Sequence, residues 1–339
     1  MAPTSDVSAG GEVTFTVGGR LYAAGREGSN ARCLYQLTAS EAGPIGWGPH
    51  ADRVLLGPAN VAVGVSVNPS GFFATNGDVK WSLPEGTRTF AATFDGKLKK
   101  RGLRDAAPEE ISFLKFHESS VYHPAGRAVV SVGTAIDGTY GLFLADNNGL
   151  GARPIAIGET ARKLTEPVWD SRGDNLFFIA EHPGAPATWH VHSLSFPSLG
   201  LGVLYETTQP LSDLVASTDA QGGVAVREGG CDPSGATEIL RSGNLDALSI
   251  GDAVPVFANM ATKPVGFLDP STLVIEAFPK GCARPSDLWV VSLSGPTGPN
   301  GLTRVASWLL VSGVDQAAVR VVRGPFDELP TNINPQAPG

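Results

Sequence analysis

A short pattern returns six times along the chain, and it limits the possible folds more than any single residue does. Each copy has a turn, an apolar strand, a loop, and a strand that carries an aromatic between aliphatics. The turns are Val17-Gly18-Gly19, Asn68-Pro69-Ser70-Gly71, His123-Pro124-Ala125-Gly126, Asp170-Ser171-Arg172-Gly173, Asp219-Ala220-Gln221-Gly222 and Asp269-Pro270-Ser271. Successive copies lie 52, 55, 47, 49 and 49 residues apart. Self-similarity at a period of about 40 to 50 residues marks a propeller or solenoid.

The strands that follow the turns, such as 128–132, 176–180 and 273–275, are continuous apolar runs suited to burial on both faces. Aromatic strands follow at 34–37, 79–83, 141–144, 189–194, 238–240 and 288–293, and outer fourth strands are expected at 53–56, 97–99, 153–156, 203–205, 254–257 and 307–310. No long window shows helical periodicity. Four-stranded antiparallel sheets without helices bury both faces only by stacking, and radial stacking leaves only short edges. The pattern therefore predicts an all-β, six-bladed β-propeller. The apolar run 317–322 lies beyond the sixth copy and is expected to pair with 12–17, closing the ring with both ends of the chain. The expected organisation is a flexible segment over 1–10, a single propeller domain over 11–325 and a tail over 326–339.

Composition narrows the function classes. A net charge of −8 argues against non-specific nucleic-acid binding, which needs a basic face. The one basic run, Lys97, Lys99, Lys100, Arg101 and Arg104, reads as a solvated outer edge strand guarded by lysines. No stretch has the roughly 18 to 20 apolar residues of a membrane span. The polar start, Met1-Ala2-Pro3-Thr4-Ser5-Asp6, is not a signal peptide but is like the beginning of a mature secreted chain. It predicts an extracytoplasmic protein, secreted or periplasmic, whose leader or anchor would lie outside these residues.

The run Glu166-Pro167-Val168-Trp169-Asp170-Ser171-Arg172-Gly173-Asp174-Asn175-Leu176-Phe177-Phe178 resembles the repeat of TolB-like six-bladed propellers, as does Tyr122-His123-Pro124-Ala125-Gly126-Arg127. That family's Ser-Pro-Asp-Gly turn is degenerate here, and the first and fifth copies lack its proline. The resemblance covers about 300 residues and implies an exported protein that acts through protein contacts. The same blade also occurs as an accessory domain of enzymes, so it leaves function open.

The candidate site residues lie mostly in loops. Arg26, Arg32, Asp137, Glu181, His182, Glu228, Asp232, Lys280 and Arg284 are expected on one loop face, where a protein or cell-envelope partner would bind. Cys231 and Cys282 differ by one repeat and are candidates for a disulfide, with a Cys33–Cys282 pair as the alternative. His190 and His192 alternate along a strand and so share a face, where they could hold a metal with His182 or Glu181. The plainer reading of that pair is an inter-blade polar contact with Trp189 packed opposite. Asp137-Gly138 and Asn148-Gly149 are hairpin turns, since no complete calcium loop surrounds them. No nucleophile elbow, nucleotide loop or zinc-protease helix is present. The leading expectation is a non-enzymatic, monomeric binding module without cofactor. The alternative is a hydrolase- or lyase-type enzyme or a metal site near the central channel.

Overall fold

The structure is a computed structural model. It describes residues 13–28, 31–37, 44–47, 53–56, 61–66, 72–76, 78–82, 89–94, 96–102, 109–124, 126, 128–155, 161, 163–196, 198–217, 223–230, 235–241, 244–293 and 305–319. For those between 44 and 94, and for 101–102, 166, 240–241, 244–247 and 279–280, it describes the backbone alone.

The described residues form seven four-stranded sheets, where the repeat spacing predicts six. The first contains β1 (Val13–Val17), β2 (Arg20–Ala24) and β3 (Arg32–Gln36). The second is β4 (Pro44–Trp47), β5 (Arg53–Leu56), β6 (Val61–Ser66) and β7 (Phe72–Asn76). The third is β8 (Asp78–Ser82), β9 (Thr89–Phe94), β10 (Lys97–Gly102) and β11 (Glu109–Glu110). The fourth is β12 (Phe116–Tyr122), β13 (Ala128–Thr134), β14 (Tyr140–Asp146) and β15 (Arg153–Ile155). The fifth is β16 (Lys163–Trp169), β17 (Asn175–His182), β18 (Thr188–Ser195) and β19 (Gly200–Thr207). The sixth is β20 (Leu211–Ala216), β21 (Val224–Glu228), β22 (Ala236–Arg241) and β23 (Asn244–Ser249), followed by α1 (Ile250–Ala253) and a 3-10 turn (Pro255–Phe257). The seventh is β24 (Ala261–Asp269), β25 (Thr272–Cys282), β26 (Ser286–Ser292) and β27 (Ala306–Val314). The last strand, β28 (Gln316–Val319), returns to the first sheet and pairs antiparallel with β1, Val13 opposite Val319 and Thr16 opposite Gln316.

The extra sheet comes from the crowded stretch between 44 and 110. The marker residues 68–71 lie outside the described residues; in sequence they stand between β6 and β7, the third and fourth strands of their sheet, not between a first and a second strand. The run 53–56 is accordingly a second strand. The basic run is not an edge: β10 is paired on both sides, and β11 takes the rim, with Lys97 Nζ 3.3 Å from Glu110. The expected outer strand at 254–257 is helical, because Pro255 opens a 3-10 turn that delivers Phe257 into the core. Outer strands at 153–155, 203–205 and 307–310 stand where they were expected.

The chain divides into two compact units, residues 1–74 with 210–322 and residues 75–209 with 323–339. Within the first, the leading strands β20, β24, β28 and β4 touch in that order. Apolar seams fill the space between its sheets. One joins Ala225, Ile239 and Phe257 to Phe267, Leu273 and Val291, and another joins Leu268, Val274 and Val290 to Val13, Phe15 and Val319. Within the second unit, β8, β12 and β16 touch in order. Its main seam packs Val130, Val132, Leu142 and Leu144 of the fourth sheet on Leu176, Phe178, Ala180 and Leu194 of the fifth.

The repeat turn shows why these residues mark strand starts. Buried Asp170 accepts the backbone N–H groups of Arg172, Gly173, Asp174 and Asn175, closing the chain between β16 and β17. Gly173 adopts φ +79°, and a Cβ there would collide with the His123 ring that bonds its carbonyl oxygen.

Candidate functional site: a three-histidine cluster

Strand alternation builds the cluster. Phe178, Ala180 and His182 point to one face of β17, and their partners on β18 are His192, His190 and Thr188. Leu176 and Leu194, also opposite each other, belong to the same apolar seam. The imidazoles therefore continue the face that packs on the fourth sheet, toward the β17–β18 hairpin. His192 is 4% exposed and His182 is 8% exposed, and the His190 side chain is 12% exposed.

The three rings touch. His182 and His190 centroids are 4.2 Å apart, His190 and His192 are 5.6 Å apart, and His182 and His192 are 5.9 Å apart. His192 also stacks on Phe178 at 5.1 Å, which fixes its plane. One ring nitrogen from each histidine lies within 4.8 Å of the others. Both nitrogens of His190 are buried without a hydrogen bond. Glu206 Oε2 on β19 stands 3.7 Å from His190 Nε2, beyond hydrogen-bonding distance.

This donor set fits a divalent transition-metal ion. Nitrogens at about 2.1 Å in tetrahedral geometry are about 3.4 Å apart, so the widest pair must close by about 1.4 Å. Side-chain rotation within a rotamer well covers that distance.

The other candidates are not gathered in this way. In the second unit, Asp137 tips the exposed β13–β14 hairpin, and its carboxylate accepts the Thr139 N–H at 2.9 Å. That bond and the Thr139 side chain hold its pKa below the usual carboxylate value. Glu181 lies on the face of β17 opposite the cluster, paired with Trp189. In the first unit, Arg26 bonds Asp269 at 2.6 Å, beside the β24–β25 turn. Arg284 clamps buried Glu276 through two bonds of 3.0 and 3.1 Å in the β25–β26 loop, at the other end of that sheet. The reason is topological. With β28 as first strand, the loop carrying Arg26 joins third to fourth strands, so it and Arg32, at the start of β3, face away from Arg284. Glu228 ends β21, half-buried. Asp232, Cys231 and the Lys280 side chain lie outside the described residues.

Cys33 carries a free, exposed thiol at the Arg26 end. Cys282 is disulfide-bonded and receives the Arg227 guanidinium at 3.5 Å. No helix among the described residues is long and apolar enough to cross a membrane.

No protein-family model matches the chain. No curated protein matches it. Among solved structures it is similar to an oligogalacturonate lyase in complex with manganese, with a TM-score of 0.58 and 12% identity over 81% of this chain and 83% of that one. An oligogalacturonate lyase from Vibrio parahaemolyticus gives 0.57 and 12% over the same shares. A putative TolB from Agrobacterium tumefaciens gives 0.50 and 12% over 89% of each chain. At this identity the likeness is one of fold. The chain is an all-β protein of the β-propeller class, with a TolB-like resemblance at the level of fold.

Proposed function

We propose that this propeller works through a divalent first-row transition-metal ion held by His182, His190 and His192. The observation that carries the reading is the convergence of three imidazole nitrogens within 4.8 Å in a buried seam. The similar lyase structure is a complex with manganese, and that supports it. Such an ion, when bound, polarises an oxygen ligand or lowers the pKa of bound water, which suits a lyase- or hydrolase-type reaction. The chain's own contribution is to gather the imidazoles on one face of the β17–β18 hairpin, with the His192 plane set by its stack on Phe178. The test is metal analysis of purified protein beside the double variant His190→Ala/His192→Ala. About one ion per chain in the parent and none in the variant is expected. A metal-free parent that also fails to take up Mn2+, Zn2+ or Co2+ on titration would refute the reading.

The disulfide at Cys282 supports an oxidising, extracytoplasmic setting. A second reading, capture of a protein or cell-envelope partner, would put the contact at the β13–β14 hairpin tip, where Ile136 is 84% exposed. Crosslinking from that tip in envelope fractions checks it, with Ile136→Glu as the control expected to lose the contact.

A further inference from the structure

The β18–β19 pairing contains one irregularity, and it falls beside the cluster. His192 is opposite Val203, and Ser193, Leu194 and Ser195 continue that register. Beyond it the register slips by one: Val191 is opposite Tyr205, His190 opposite Glu206 and Trp189 opposite Thr207. Leu204 is the extra residue, a β-bulge. Without it, Glu206 would stand opposite Trp189, on the far face of the sheet, since a one-residue slip exchanges faces. The bulge thus puts a carboxylate beside His190, 3.7 Å from its Nε2. Its side chain is 62% exposed, so it sits at the solvent-facing margin of a site whose other donors are buried.

We infer that Glu206 is the fourth ligand of the ion, making a three-histidine, one-carboxylate site open toward the outer rim of the fifth sheet. The inference rests on the metal reading above and adds a selectivity to it. Imidazole alone suits Zn2+, Ni2+ and Cu2+, whereas a carboxylate oxygen favours harder ions such as Mn2+. Glu206 therefore biases the site toward Mn2+ and supplies an anionic handle through which ions enter from solvent.

The experiment titrates Mn2+ and Zn2+ into the full metal-stripped chain and its Glu206→Ala and Glu206→Gln variants. Circular dichroism confirms that these changes at an exposed position leave the fold intact. Loss of a direct ligand should weaken Mn2+ by about tenfold or more, at least the cost of losing an outer-sphere partner, and Zn2+ by clearly less. Glu206→Gln, which keeps the shape without the charge, should show the same order of metals. A Mn2+ Kd in Glu206→Ala within about twofold of the parent overturns the inference. If His190→Ala/His192→Ala abolishes binding at the same time, the three-histidine reading survives alone. A parent chain that binds neither ion removes both.

Discussion

His117 gives a measurable link between burial and acid stability. Its ring is buried, with Nδ1 3.0 Å from Ser131 Oγ, which lies 2.6 Å from Ser120 Oγ. Nε2 accepts the backbone N–H groups of Phe113 at 3.3 Å and Leu114 at 3.2 Å. Those two donors require a lone pair on Nε2, so the neutral Nδ1–H tautomer is the one that fits. Desolvation, with a smaller contribution from the Lys97 charge, lowers the pKa from 6.5 to about 4. As pH falls, the unfolded chain therefore binds a proton before the folded one does. The contribution is fully present above about pH 6.5 and is lost as pH falls toward 4. Over that whole window the loss is about 3 kcal/mol, and about 2 kcal/mol of it is spent by pH 5. With a urea m-value near 3 kcal/mol/M, the midpoint should fall by about 0.6 M between pH 7.5 and 5. The assay is urea denaturation followed by tryptophan fluorescence, with His117→Gln as the reference. The variant begins less stable, because the Phe113 and Leu114 donors are poorly met, but its stability–pH slope should be smaller by one proton. Equal slopes for parent and variant between pH 6.5 and 4 would refute the reasoning.

Glu238 should show the opposite sign: desolvation raises its pKa to about 7, partly offset by a hydrogen bond from Ser249, so its contribution fades as pH rises from 4.5 through 7. Glu238→Gln should therefore raise the thermal midpoint clearly at pH 8 and much less at pH 5, checked by calorimetry at both. His190→Leu should stabilise the metal-stripped protein by about 1–3 kcal/mol, because it removes from an apolar face a buried imidazole with no hydrogen bond at either nitrogen, Nε2 having only the Glu206 carboxylate at 3.7 Å. The same variant should lose the rise in melting temperature that added metal gives the parent.

The sequence makes some elements readable and hides others for definite reasons. The run at 317–322 reads as a strand that pairs with 12–17 because it is apolar and surplus to the repeats, and its described part, Ala317–Val319, does pair with β1. His190 and His192 share a face because alternation needs no tertiary information. His182 joins them only through the hairpin register, which pairs it with Thr188 diagonal to His190. Glu206 is out of reach of such reasoning. Strict alternation along β19 from Val203 puts it on the wrong face, and only the bulge at Leu204 corrects this. The seventh sheet stays hidden because turn chemistry marks hairpins without saying which pair of strands a hairpin joins. Between Gly19 and Gly126 that ambiguity makes three short sheets read as two repeats. The 3-10 turn at Pro255 stays hidden because a short apolar run fits strand and helix alike.

The histidines of this chain supply their own standard for a structural role. His117 has a partner at each ring nitrogen, and His123 bonds the Gly173 carbonyl at 3.2 Å while its ring packs edge-on to Trp169 at 4.8 Å. Both occupy turns or strand ends where backbone groups need an imidazole. His190 is set mid-strand in a seam that leucine or valine would fill, opposite Ala180, with neither ring nitrogen hydrogen-bonded. Nε2 has only the Glu206 carboxylate at 3.7 Å, and a buried polar atom left without a hydrogen bond costs about 1–3 kcal/mol, which is large against the net stability of a domain. On the metal reading proposed above, that cost, in a face otherwise packed with Leu176, Phe178 and Leu194, is the one a ligand would carry before its ion binds. Metal binding to His190, His182 and His192 would reverse it, and the stabilisation lost from the seam would reappear as affinity for the ion.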